Sequence, residues 1–364
     1  MAKAERSRHR FVYYGSREES PRPQLPANVT PVLISRRRRR ALQYVLNGPY
    51  LWPPVASSRG FSKRAVGGLM KSGAGAQIDL ALWPHAFTPV PPGAAPAAVI
   101  AHDLIHHRLP QLFSRRELHL RRQAERSLAG CALVLCPSAS TAADLVETYP
   151  TLRDRVTVFP EGPGIVPKGE PSPGALAELR VRVGPAPFFL SVGFDWPHKN
   201  FEVLLEAMRK FKGRPIRLVF AGGRRRDTLV ASIRRHGLEG SVVDLGPVSQ
   251  ELLDVLYRSA TALLFPSLYE GFGIPLVEAM HYGLPIVASD RASVPEVVGS
   301  GGWIVPAQAP GEWASAIDAL ATQQAVRAEL AQRSVARATD YTWAGCWEVL
   351  DKAFEGVTAA PRPA

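Results

Sequence analysis

Two glutamates, Glu270 and Glu278, have seven residues between them in the stretch FPSLYEGFGIPLVEAMHYGLP, and Gly271, Gly273 and Pro275 fall in that gap. The stretch follows an apolar run, TALLFPS. Pro275 suits the first turn of a helix through LVEAMHYG, because its missing N–H is not needed there and its φ is already helical. The leading N–H groups of such a helix form a ready anion site. Gly271 and Gly273 lack a Cβ, so main chain can approach a ligand closely at both. Glu278 falls about one turn inside the helix, and Glu270 falls in the loop before it. Ionised carboxylates only accept hydrogen bonds. Two of them beside an amide-lined anion site suit a ligand that is part polyol and part anion. A sugar nucleotide has that form, with hydroxyls at both ends and a diphosphate between. The competing reading is a plain strand–helix turn whose acid is favoured by the helix dipole. The loop by itself supports both equally.

The surrounding pattern supplies the elements that would position these residues. RFVYYG, VTPVLI, IDLALW, AAVIAHD and CALVLC read as strands in the first half, with SRRELHLRRQAERSLAG and STAADLVETY as helices between some of them. A Pro/Gly-rich stretch, PEGPGIVPKGEPSPG, then reads as a linker. After it come PFFLSVG, IRLVFAGG, SVVDLG, TALLFPS, LPIVAS and GWIV, short continuous apolar runs typical of buried parallel strands. NFEVLLEAMRKF places Leu204, Leu205, Met208 and Phe211 on one helical face. The expected fold class is α/β, with two doubly wound Rossmann-like domains facing across a cleft at their strand C-termini. The expected boundaries are 1–165 for the first domain and 166–341 for the second. A final helix over 342–356, carrying Trp343 and Trp347, crosses back to the first domain, and 357–364 form a disordered tail.

Length and composition agree. The 364 residues exceed one ordinary core. No stretch approaches 18 uncharged apolar residues, and the first residues hold no apolar signal core. Cys131, Cys136 and Cys346 have neither metal-site nor CxxC spacing and read as reduced thiols. A cytoplasmic protein is the expectation. The net charge of +12 is uneven: residues 1–160 hold 23 Lys+Arg against 10 Asp+Glu, and the remainder holds 21 against 22. Such asymmetry suggests a polyanionic partner for the first half. Arg36–Arg40 precede an apolar, aromatic-bearing segment, ALQYVLNGPYLW, and could dock on anionic lipid at the inner membrane face, or be a solvated face. No nucleic-acid recognition module accompanies the charge, so no nucleic-acid partner is expected.

EGFGIPLVEAM, followed by GLPIVAS, resembles the signature of the retaining glycosyltransferases of family four, which have the GT-B fold. FLSVGFDWPHKNFEVLLEAM, LVFAGG, LGPVSQELLDVLYRSATALLFPS and VPEVVGSGGWIV are similar to family segments in order and spacing. IAHDLIHHRLPQLFSRRE and VLCPSASTAADLVETYP resemble its N-terminal domain. The subgroup most like this chain holds bacterial mannosyltransferase-like enzymes of surface-polysaccharide assembly.

The resemblance implies roles. Glu270 would contact the donor sugar, with the main chain of Gly271, Phe272, Gly273 and Ile274, on into Pro275 and Leu276, holding sugar and phosphate oxygens. Glu278 would bind the ribose hydroxyls. Lys199, beside His198, would neutralise the diphosphate as the leaving group forms. Gly193 would lie where main chain meets phosphate, and Pro247 and Val248 against the base. His102 would face the transferred sugar, while Asp103 orients its loop. The catalytic set is thus Glu270, Lys199 and His102. The scheme has no cofactor and no metal, and the sequence holds no Asp-x-Asp motif. The substrate would be a GDP- or UDP-linked sugar, its hexose (mannose among the candidates) passing to a saccharide or lipid-linked acceptor.

Three departures accompany the resemblance. His198 and Phe194 stand where relatives carry a phosphate-binding arginine, a charge that Arg224–Arg226 could supply. Relatives begin with a strand, a glycine-rich loop and a helix ahead of HRFVYYG; the first domain here is expected to lack that strand and loop. Residues 41–75 look partly inserted. The alternative function is therefore a non-catalytic or degenerate nucleotide-sugar-binding protein. His106 and His107 are expected at a rim.

Overall fold

The computed structural model describes residues 11–16, 29–34, 80–83, 86, 96–223 and 227–358. The Arg36–Arg40 run, the segment 41–75, Arg224–Arg226 and whatever precedes residue 11 lie outside the described residues. The chain divides into two compact units, Met1–Pro160 with Trp343–Ala364, and Glu161–Thr342.

In the first unit β1 (Phe11–Ser16) and β2 (Val29–Ile34) pair in parallel. β3 (Ala81–Trp83), β4 (Ala97–Ile100), β5 (Leu133–Cys136) and β6 (Val156–Val158) form a parallel sheet in sequence order. β4 stops at Ile100, so His102 and Asp103, expected inside a strand-like run, lie in the loop that follows. The helices here are α1 (Ile105–Arg108), α2 (Arg115–Glu125) and α3 (Ala139–Thr148). Ser114 and Glu117 close a reciprocal capping box on α2, which fixes its start. The helix expected through Gly130 ends at Glu125 and passes into a tighter turn over Arg126–Gly130.

The second unit holds α4 (Pro173–Arg182), β7 (Phe188–Val192), α5 (Phe201–Met208), β8 (Arg217–Ala221), α6 (Asp227–His236), β9 (Val242–Asp244), α7 (Gln250–Ser259) and β10 (Ala262–Phe265). It continues through α8 (Ile274–His281), β11 (Ile286–Ser289), α9 (Val294–Val298), β12 (Trp303–Val305), α10 (Pro310–Thr322) and α11 (Gln324–Ala338). Its six parallel strands run in the order β12-β11-β10-β7-β8-β9. Apolar clusters cover both faces of the sheet, which is why the strands read as unbroken apolar runs rather than alternating ones. α4, α7, α8 and α9 pack on one face, and α5, α6 and α10 on the other. The winding direction reverses between β7 and β10, and the loops after these two strands open a crevice at their C-terminal ends, the usual ligand position in such sheets.

The chain ends in α12 (Trp343–Thr358), whose Cys346, Leu350 and Phe354 bury against Ala98, Leu133, Leu135 and Phe159 of the first unit. Trp343 and Trp347 pack beside them. The helix continues through Gly356, where the sequence pattern suggests an end.

Candidate active site

The crevice between β7 and β10 gathers most of the residues singled out from sequence. Gly193 extends β7, its N–H donating to the Ala221 carbonyl at 3.0 Å. The Lys199 stem folds over it: a Cβ on Gly193 would sit 3.4 Å from Lys199 Cε. Gly222, at φ 107°, is backed against the Gly193 carbonyl, where a Cβ would stand 2.8 Å from Gly193 O. Gly222 N–H in turn donates to Gly246 O at 2.8 Å. The C-terminal ends of β7, β8 and β9 thus close into a tight main-chain floor. Only glycine fits at Gly222, where both the positive φ and the close approach exclude a side chain.

Lys199 closes a short 3₁₀ turn, Pro197–Lys199, and its Nζ lies 2.6 Å from Glu270 Oε1. The two side chains are 13% and 14% exposed, so the pair is partly desolvated yet reachable from solvent. The Nζ also stands 5.6 Å from the Phe265 ring centroid. His198 sits in the same turn, its ring edge-on to Trp196, and its carbonyl accepts the Leu268 N–H at 2.7 Å. Phe194, just past Gly193, is 56% exposed.

The Glu270 loop is held from beneath. Ser289 Oγ donates to Ser267 O at 2.6 Å, and Ser293 Oγ lies 2.9 and 3.0 Å from the carbonyls of Glu270 and Phe272. Asn200 takes the left-handed conformation, φ 55°, and its Nδ2 donates to Pro266 O at 3.1 Å and Ala307 O at 2.8 Å. That amide joins the loop after β7 to the ends of β10 and β12. Asn200, Ser289 and Ser293 went unassigned at the sequence level. For Asn200 a signal existed, since asparagine is the commonest non-glycine residue in this conformation.

Gly273 caps α8 with φ 109°, and Pro275 is the second helical residue rather than the first. The side chains of Phe272 and Leu276 are buried in the core, Phe272 edge-on to Tyr341 at 5.6 Å. What they bring to the site is main chain, and the Leu276 N–H donates to Gly273 O at 2.9 Å. Glu278 is 7% exposed. Its Oε2 accepts the Tyr257 hydroxyl at 2.7 Å and its Oε1 the Ile165 N–H at 3.2 Å. Burial pushes the Glu278 carboxyl above the usual carboxylate range, against the pull of these donors. The Gly164 main chain supports the same carboxylate, and Oε2, bonded to the Tyr257 hydroxyl, has a second lone pair to offer. Tyr257 and the 164–165 main chain could not be found from sequence, because their distances along the chain from Glu278 carry no local pattern. Pro247 is exposed and Val248 half-buried, in the turn between β9 and α7.

His102 belongs to the first unit, half-buried after β4, and Asp103 Oδ1 accepts the Ile105 N–H at 3.0 Å. His106 and His107 do not stand at a rim: His106 is fully buried, and His107 is 18% exposed. Both ring Nε2 atoms lie 2.8 Å from the Glu125 carboxylate, because the short α1 turns them inward onto α2.

Comparison with known proteins agrees with this architecture. Residues 180–337 match the model for glycosyl transferases group 1, and residues 19–162 that for glycosyltransferase family 4. A D-inositol 3-phosphate glycosyltransferase of Nocardia farcinica is 30% identical over 71% of this chain and 59% of its own length. An O-antigen chain mannosyltransferase B of Escherichia coli is 27% identical over 69% of this chain and 68% of its own length. This chain thus spans less than two thirds of the Nocardia relative. Anabaena HepE, solved with UDP and glucose, superposes with TM-score 0.66 at 17% identity, over 89% of this chain and 86% of that one. The parallel α/β units are those of the GT-B fold, and glycosyltransferase family models match a stretch in each half of the chain. Among the described residues no helix is long and apolar enough to cross a membrane.

Proposed function

We propose that the chain is a retaining glycosyltransferase that moves a hexose from a nucleoside-diphosphate sugar to a saccharide or lipid-linked acceptor in surface-polysaccharide assembly. The observation that carries this reading is the Lys199–Glu270 pair, 2.6 Å apart in the crevice where the sheet's winding reverses. The pair is partly desolvated yet reachable from solvent, so Lys199 can exchange its carboxylate partner for a substrate group of like sign. An arriving diphosphate takes the Lys199 ammonium, and Glu270, released, accepts from sugar hydroxyls. As the sugar–oxygen bond breaks, negative charge grows on the phosphate, and Lys199 and the amides ahead of α8 stabilise it. Glu278 offers the remaining lone pair of Oε2 to a ribose hydroxyl. The acceptor hydroxyl attacks from the leaving-group face and yields its proton to the departing phosphate. No protein base and no metal enter these steps. The mannosyltransferase relative favours mannose, and the UDP-bound neighbour keeps a uridine donor open.

The test is a panel of GDP- and UDP-sugars, scored by thermal shift and by donor hydrolysis in the presence of chelator. One sugar nucleotide is expected to stabilise the protein and to be hydrolysed slowly. Glu270→Ala and Lys199→Ala are each expected to lower turnover at least about 100-fold while unfolding within a few degrees of the parent. Near-normal turnover in either folded variant sinks the assignment.

A further inference from the structure

The first unit holds a second group of chemically capable side chains, which the transfer scheme does not use. His106 and His107 are consecutive on α1, yet both present Nε2 to one carboxylate: His106 to Glu125 Oε1 and His107 to Glu125 Oε2, each at 2.8 Å. The two rings lie 4.3 Å apart, tilted by 53°. The Tyr149 hydroxyl donates to Glu125 Oε2 at 2.7 Å, from the residue that follows α3. His106 is 0% and Glu125 2% exposed, while His107 at 18% leaves one side open.

A buried carboxylate needs one cationic partner, and a second imidazole against the first adds repulsion whenever both are protonated. Two imidazole nitrogens and one carboxylate converging on a point are, however, a common zinc ligand set, with three protein ligands and a fourth position left for water. The three donor atoms lie within 4.8 Å of one another. Zinc–nitrogen and zinc–oxygen bonds of about 2.1 Å set neighbouring donors roughly 3.4 Å apart. The present 2.8 Å contacts therefore open by about half an ångström, which the part-exposed His107 ring can supply. Tyr149 holds the carboxylate from outside, as outer partners of metal ligands do. Imidazole with carboxylate favours zinc, cobalt or nickel over magnesium or calcium.

We propose that His106, His107 and Glu125 bind a divalent transition metal of the zinc class. The ion ties α1 to α2 beneath the loop that carries His102 and stabilises the first unit. Arg122 and Arg126, whose charge is felt at Tyr149, oppose a dication. The ion is therefore exchangeable rather than permanent. The proposal stands independently of the transfer reading, since no ligand belongs to the Lys199 crevice.

The experiment uses the full chain, without an affinity tag, stripped by chelator and dialysed. It is titrated with Co²⁺ alone and then with Zn²⁺. One equivalent of Co²⁺ is expected to give a visible ligand-field band that Zn²⁺ abolishes, and Zn²⁺ is expected to raise the melting temperature. His107→Ala should lose the band and the thermal shift, or weaken binding at least tenfold. His119→Ala, at an exposed histidine of α2, should change neither. If the alanine variant does not fold, His107→Asn, which keeps a donor toward Glu125, replaces it. No stoichiometric band in the parent, or equal binding by the folded His107 variant, overturns the proposal.

Discussion

At the residue scale, the site depends on side chains that never meet the substrate in the proposed scheme. Asn200 carries two hydrogen bonds and a left-handed backbone at once. Asn200→Ala loses both bonds and strains the main chain, for an expected cost of about 2–3 kcal/mol. Asn200→Gly keeps the conformation and should cost less. Urea unfolding of the two variants beside the parent checks the order, and equal losses would remove the backbone argument. That Glu270 and Glu278 flank a helix start was legible in the sequence because two glycines and a proline between two acids mark a strand–helix turn, while Lys199 was singled out only through the family resemblance. Ser289, Ser293 and Tyr257 were not legible, since a serine at a strand end or turn and a tyrosine on a helix look the same whether they support a site or fill a core.

At the element scale, the strand pattern was legible because a sheet covered on both faces forces continuous apolar runs. Element ends were less so: β4 stops short of His102, and α8 starts one residue early, because end positions follow tertiary hydrogen bonds rather than local propensity. The joined ends of β7, β8 and β9 give a sharp expectation. Gly222→Ala places a Cβ against Gly193 O and holds a non-glycine residue at φ 107°. It should destabilise the second unit by about 1–3 kcal/mol and weaken donor binding together. A variant with parent stability and parent donor affinity would show that the floor is not rigid. The segment opening the second unit carries a different signal. Burial pushes the Glu161 carboxyl up to about 7. The unfolded chain ionises this acid first, so folding stability falls as pH rises from about 4.5 through 7 and is unaffected below that window. The slope from this one group is at most about 1.4 kcal/mol per pH unit. Glu161→Gln should flatten that part of the stability curve, measured by urea unfolding between pH 4 and 8. An unchanged slope would mean that Glu161 ionises normally.

At the scale of the whole molecule, the basic excess sits entirely in residues 1–160. Each basic residue close to an anionic membrane is worth on the order of 1 kcal/mol. The full chain is expected to float with liposomes containing anionic lipid, less so as salt is raised, and not with neutral ones. Replacing Arg36–Arg40 by glutamine should weaken that flotation about tenfold or more. Flotation with neither lipid, alongside tight salt-sensitive DNA binding, would reverse the choice of partner. The two-unit organisation itself was legible from the repeated alternation of strands and helices on either side of the Pro/Gly-rich stretch.

The assignment of α12 to the first unit bears on how the chain is made. Leu133 and Leu135 emerge from the ribosome some two hundred residues before the Cys346, Leu350 and Phe354 face that covers them. The second unit, whole within Glu161–Thr342, can close while the first still shows an uncovered sheet face. During synthesis the order of completion is thus the reverse of the order of translation. The first unit spends that interval with apolar strands open to chaperones, and a chain stalled at Thr342 would leave the ribosome with a finished second unit and an unfinished first.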